Sequence, residues 1–168
     1  MFREMRRKRQ AMTPEETIAV LERGSSGVLA LAGDDDYPYA VPISYVYDGS
    51  RLYFHSAVTG HKLDAVKRNC KASFCVVDKD EIIPEEYTTY FRSAIVFGRI
   101  RVLEDADEKR AAAEKLALKY APLNGDERLQ DAIDKAWHSL CMLEMTIDHM
   151  TGKQAIELTR RAGENPPC

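Results

Sequence analysis

Cysteine is scarce and unpatterned in this chain. Cys70, Cys75, Cys141 and Cys168 show no CxxC pair and no disulfide-framework spacing. Free thiols in a reducing, cytoplasmic setting follow as the plain expectation. A zinc site from His55, His61 and these cysteines lacks paired-ligand spacing, so no metal is expected. Long hydrophobic runs are missing too. Nothing approaches the ~20 apolar residues of a membrane-spanning helix, and nothing resembles the apolar core of a secretory signal. Positive charge is not in excess: the net charge is −3 and no basic face emerges, which disfavours nucleic acid as a partner. The basic arm Arg3, Arg6, Arg7, Lys8 and Arg9 reads as a solvated tail. Internal repeats, low-complexity segments, a Ser-His-Asp set, paired catalytic carboxylates and a Walker pattern are all lacking, and with them covalent hydrolase and nucleotide-hydrolysing chemistry.

What is present fits one domain over residues 1–168, with 1–11 and 160–168 expected to be mobile. Thr13-Pro14-Glu15-Glu16 opens a helix with an N-cap, a proline at the first position and a glutamate at the third. Gly24 ends it. Gly27 to Ala32 and Tyr39 to Tyr47 read as strands, and Asp48-Gly49 marks a tight hairpin. Pro42 interrupts the second strand and cannot donate to a ladder, so it is expected at an edge, at a bulge, or where its neighbour is something other than a strand. Ala72 to Val77 is a third apolar strand, and the acidic stretch from Asp78 to Glu86 reads as a loop. Thr88 to Leu103 is a long strand that Gly98 is placed to bend. Asp105 caps an alanine-rich helix ending before Pro122, a second helix runs from Asp126 towards Trp137, and Leu140 to Ile147 returns as a strand. Lys153 to Leu158 is a candidate for one more. Six or so strands with few helices predict an α+β, mainly β protein built on a small closed barrel.

The most informative stretch runs from Arg51 to Asn69. It begins with strand alternation, Leu52, Phe54 and Ser56 on one face and Tyr53, His55 and Ala57 on the other. From Gly60 it changes to helical spacing, with Leu63 and Val66 inward, Thr59 as the expected cap, and Lys62, Lys67 and Arg68 outward. A strand that enters a helix through Ser56, Gly60, His61 and Lys62 brings amide groups, a hydroxyl and a cation to one point. That is a phosphate-sized anion site.

The segments Tyr37 to Tyr45, Asp48-Gly49, Leu52 to Ala57 and Gly60-His61-Lys62 resemble the nitroimidazole-resistance (Nim) proteins, within the pyridoxamine-phosphate-oxidase-like flavoproteins. The resemblance extends from about Met12 to Leu158 and is most specific from Tyr37 to Asn69. It implies an FMN-binding split β-barrel, an antiparallel Greek-key barrel of about six strands with flanking helices, forming a homodimer with FMN at the subunit interface. It further implies that His55, Ser56, Ala57, Gly60, His61 and Lys62 hold the phosphate and ribityl chain. Val41, Pro42, Ile43 and Ser44 would run beside the ring, and Arg92, Ser93 or Trp137 would complete the pocket from the partner subunit. The chain departs from the oxidase proper, since no histidine follows Met150 and no basic residue lies between Val41 and Tyr47. Pyridoxamine phosphate is therefore a doubtful substrate.

Three function classes follow. The first is an FMN-dependent reductase that takes electrons from a nicotinamide or other donor and passes them to small electron-poor acceptors such as nitroimidazoles. His55 is its catalytic candidate, because a histidine can both hydrogen-bond and deliver a proton. The second is a flavin-binding electron carrier without a dedicated substrate. The third is a haem-binding protein on the same barrel.

Overall fold

A computed structural model describes residues 1–159. Its centre is a closed barrel of six antiparallel strands in the order β1-β2-β3-β6-β5-β4. The strands are β1 (Ser26–Ala32), β2 (Pro38–Tyr47), β3 (Arg51–Ala57), β4 (Lys71–Ile83), β5 (Thr88–Val102) and β6 (Leu140–Gln154). β1, β2 and β3 follow one another as hairpins, and β4 returns to pair with β1. That is a Greek key. The helices are α1 (Pro14–Arg23), α2 (His61–Arg68), α3 (Ala106–Tyr120) and α4 (Asp126–Ala136).

The local rules act where the sequence placed them. Thr13 Oγ1 accepts from the Glu16 amide while the Glu16 carboxylate accepts from the Thr13 amide, a complete capping box for α1. Asp48 Oδ1 accepts from the amides of Ser50 and Arg51, and Gly49 sits at φ +95°, which closes the β2–β3 hairpin. The β5–β6 ladder slips between Phe97 and Gly98. A Cβ on Gly98 would stand 1.8 Å from the Thr146 carbonyl oxygen, so only glycine allows the strands this close.

Four expectations change. The acidic stretch after Val77 is not a loop: β4 continues through a bulge at Val77/Lys79, and Lys79–Ile83 pairs with Thr88–Arg92 before a 3-10 turn at Pro84–Glu86. Half-exposed ribbon residues need no apolar alternation, so a polar strand carries little signal. The late strand is one continuous element, β6, and the separate strand expected over Lys153–Leu158 is absorbed into it as far as Gln154. Thr59 does not cap α2; Gly60 does, at φ +127° and without a side-chain hydrogen bond. The basic side chains of the arm, Arg3, Arg6, Arg7, Lys8 and Arg9, are exposed as a solvated arm requires, but the arm also makes contacts: Lys8–Gln10 forms a 3-10 turn, Ala11 bridges Lys153, Gln10 is buried, and Phe2 stacks on His149. The expected mobile tail, residues 160–168, lies outside the described residues.

The barrel interior is filled by Tyr45, Leu52, Phe54, Phe74, Leu143 and Met145, with Leu63 and Val66 of α2 closing one end. A second apolar cluster lies on the outside. There Val46, Tyr53 and Met142 of the sheet meet Ala112, Ala113, Leu116 and Ile133 of α3 and α4. Successive strand residues point to opposite faces, so β2, β3 and β6 supply both clusters at once.

Candidate functional site

β2 and β3 belong together only near their hairpin. Their pairing covers Tyr45–Tyr47 with Leu52–Phe54 and then stops. Beyond it, β2 stays with β1 as far as Pro38, while His55, Ser56 and Ala57 of β3 stay with Met142, Cys141 and Leu140 of β6. The barrel wall is therefore split between residues 38–44 of β2 and residues 55–57 of β3. The Tyr45 amide donates to the Tyr120 hydroxyl, which in turn contacts the Ser25 carbonyl, so Tyr45 presents its backbone to the β1 side. By strand alternation Pro42 and Ser44 face the other way, into the split. Proline has no amide hydrogen to leave unpaired there, which accounts for its tolerance inside a strand.

Ser44 and His55 stand on opposite lips of this split, and both line a cavity of about 320 Å³. Val41 and Ile43 point their side chains into the barrel interior instead, and by the same alternation their backbone groups face β1 and not the split. At the far end of the split α2 begins. No side chain caps its first turn, so its first amides are open. Lys62, the second residue of α2, is half-buried, and burial pushes its ammonium pKa below the usual lysine value. Among the described residues it has no carboxylate partner. Cys141, opposite Ser56 on β6, has its thiol pushed up by burial, an effect that Lys109, Lys67 and Lys62 oppose. Three ammonium groups therefore act on this end of the barrel, and one of them is a half-buried cation without a counter-charge among the described residues.

His61 is committed elsewhere. Its ring stacks on Tyr39 at 4.0 Å, and its Nε2 lies 3.5 Å from an Asp34 carboxylate oxygen. Asp34 also binds Arg68 at 2.5 Å, and that hydrogen bond holds its carboxyl below the usual range. His61 thus orients α2 against the β1–β2 turn. His55 and Ser44 make no side-chain hydrogen bond to the described residues, so both are open to a ligand.

The remaining predicted residues do not join this group within one chain. Arg92 and Ser93 pair with Gln154 and Lys153, whereas His55 pairs with Met142. Along β6 that separation is roughly 40 Å at ~3.3 Å per residue. Arg92 is held there by Asp78 and Gln154, at 3.3 Å each. Trp137 packs on the outer cluster, its ring covered by Lys109 at 4.1 Å and Arg110 at 4.9 Å. Sequence reasoning missed the other side of the cavity. Ala113, Ala117 and Tyr120 of α3 face Leu129, Ala132 and Ala136 of α4 across it. Alanines four apart on a helix were visible, but not that two such faces would meet over the split.

A six-strand Greek-key barrel whose β2 and β3 part beside an uncapped helix start, where Lys62 has no carboxylate partner among the described residues, is a split barrel. Over residues 13–154 the chain matches the pyridoxamine 5'-phosphate oxidase family, and it belongs to that family. The uncharacterised protein RA0666 of Rhizobium meliloti is 34% identical over 94 residues, covering 56% of this chain and 57% of the relative. The chain thus aligns with little more than half of that relative's length. A candidate 5-nitroimidazole antibiotic resistance protein of Bacteroides thetaiotaomicron has the same fold, with a TM-score of 0.70 at 19% identity over 86% of each chain. So does the FAD- and haem-binding protein of Mycobacterium smegmatis, with a TM-score of 0.68 at 21% identity over 92% of this chain and 80% of that one.

Proposed function

We propose that the chain binds FMN along the β2–β3 split and acts as a flavin-dependent reductase of small, electron-poor, uncharged acceptors, nitroimidazoles among them. The observation that carries the proposal is Lys62, a half-buried cation without a carboxylate partner beside an uncapped helix start. A phosphate monoester supplies the missing charge and accepts from the open amides at the same time. Ser56 and Gly60 flank that point, and the backbone of Pro42 and Ser44 faces the split where a planar ring can be hydrogen-bonded at its edge. FMN, when bound, supplies the two-electron redox chemistry. The chain's own part is to hold the ring edge along β2, leave one face of the ring open to the acceptor, and present His55. The imidazole N–H of His55 can donate a hydrogen bond or a proton to a polar substituent of the acceptor.

A homodimer belongs to the same proposal. Val28, Val77, Ile95 and Phe97 are exposed, and the strand register puts them on one outer face of β1, β4 and β5 together with Ser93. Such a face suits a second copy, and a second copy could bring Arg92 and Ser93 to a site they cannot reach in their own chain. The M. smegmatis protein binds FAD and haem; here the compact single-phosphate site favours FMN. The test is a visible spectrum of the purified protein, followed by FMN and FAD titrations and anaerobic addition of NADH or NADPH. Flavin bands, tighter FMN binding and reoxidation of the reduced protein by a nitroimidazole are expected. A Soret band without flavin would replace the proposal with haem binding. Flavin reduction without reoxidation by any small acceptor would replace it with electron carriage.

A further inference from the structure

The cavity beside the split is larger than its two polar residues need, and its shape has a cause. Arg110 of α3 binds Asp134 at 2.6 Å and Gln130 at 2.8 Å on α4, and Gln130 binds Glu114 at 2.7 Å. These bridges fix α3 against α4. On the cavity side each helix presents a pair of alanines one turn apart, Ala113 and Ala117 on α3 and Ala132 and Ala136 on α4, between the larger Leu116, Tyr120, Leu129 and Ile133. With the helices tied together over these small residues, about 320 Å³ is open between them and the sheet. That is the lower end of the size range of small-molecule pockets.

We propose that this cavity is the acceptor pocket, that it takes a neutral, flat ring compound with one hydrogen-bonding substituent, and that the four alanines set the largest ring it admits. The proposal rests on the flavin reading above for the word acceptor, but the cavity's chemistry stands on its own. No charged side chain lines it, so an ionised ligand would lose its hydration without compensation. Its polar side chains free to meet a ligand are Ser44 and His55, which make no hydrogen bond to the described residues. The third polar side chain of the lining, Tyr120, already uses its hydroxyl on the Tyr45 amide and the Ser25 carbonyl. One polar substituent can thus be satisfied, at one end, while the rest of the ligand meets methyl groups and the side chains of Leu116, Ile133 and Met142.

The experiment uses the full chain, with and without saturating FMN, and measures binding of nitrobenzene and of benzoate by NMR titration. Nitrobenzene is expected to bind, benzoate at least tenfold more weakly, and FMN is expected to leave the nitrobenzene affinity within about threefold. Ala117→Leu and Ala132→Leu should each weaken nitrobenzene at least tenfold while the FMN affinity is kept. Unchanged nitrobenzene affinity in the folded variants overturns the proposal. So does displacement of nitrobenzene by FMN, which would make the cavity part of the flavin's own site. If the leucine variants do not fold, magnetisation transfer from the nitrobenzene ring to the Ala117 and Ala132 methyl groups of the unaltered protein decides, and its absence is equally fatal. Failure of the flavin reading registers separately, as a wild-type chain that binds no FMN.

Discussion

Replacing Lys62 with methionine should move cofactor affinity and the stability of the empty protein in opposite directions. The methionine keeps most of the aliphatic stem and removes the charge. In the empty protein the ammonium is half-buried without a carboxylate partner, and burial lowers its pKa. A lysine whose folded pKa lies below its unfolded value opposes folding while it is charged, and this penalty fades as pH rises through the depressed folded value. At neutral pH the penalty is present, so Lys62→Met should leave the melting temperature of the empty protein unchanged or raise it. Binding responds in the other sense. A hydrogen bond to a charged group is worth about 1.5–3 kcal/mol, so losing the phosphate contact should weaken FMN roughly 10- to 150-fold. Lys62→Arg keeps the charge at every accessible pH and should hold FMN at alkaline pH, where the wild-type protein begins to lose it. The assays are quenching of FMN fluorescence across a pH series and thermal unfolding of the empty protein. An FMN affinity within about threefold of wild type in folded Lys62→Met refutes the phosphate assignment. A clear drop in the melting temperature of the empty variant refutes the argument differently, by showing that the ammonium already has a stabilising partner.

Gly98→Ala should destabilise by about 1–3 kcal/mol or more, as overpacking does, because its Cβ meets the Thr146 carbonyl at 1.8 Å; a urea midpoint equal to wild type would mean that the bulge relaxes freely. Glu144 is buried between Arg51 and Arg101, and although burial alone would raise its carboxyl pKa, hydrogen bonds from Arg101 and Arg51 hold it below the usual range. Its contribution is therefore present above the ordinary carboxylate range and lost as pH falls through the depressed value, so Glu144→Gln should lower the melting temperature at pH 7 and much less in strong acid. Tyr120→Phe removes the hydroxyl that takes the Tyr45 amide and should loosen the end of α3 over the cavity, read as faster hydrogen exchange at Tyr45 with the barrel's slowest amides unchanged.

The fold was legible wherever burial forces a period. β2, β3 and β5 were drawn to within a residue or two, because one face of each fills the barrel and the other faces solvent or helices. Reasoning failed where burial makes no such demand. The outer half of β4 is a polar ribbon whose partner is the start of β5, and Asp78, Asp80 and Pro84 looked like loop punctuation. β6 looked broken after Ile147 because the slip at Phe97/Gly98 resets the pairing around Asp148, which is a property of two strands and not of one. Gly60 against Thr59 was lost for a similar reason: a threonine suits a cap in general, but the approach to α2 needs a positive φ, and only the glycine adopts it without strain.

For the site, the useful signals were local misfits. Pro42 has no amide to offer in a strand that otherwise needs one, and the structure places it where β3 has already parted from β2. Lys62 reads as an outward lysine from its helical spacing, yet the structure leaves it half-buried, and among the described residues no carboxylate answers it. Each is a group left open by the chain's own pairing, and the two bracket one split. Resemblance proposes what fills such openings, but it speaks only for residues that match. The α3–α4 wall of the cavity carried no such signal. Its alanines read as helix formers, which they are, and their second role exists only because Arg110 and Gln130 fix two helices over the outer face of the barrel. A segment of high propensity and no motif can therefore wall a cavity that the motif-bearing residues Ser44 and His55 line from the other side.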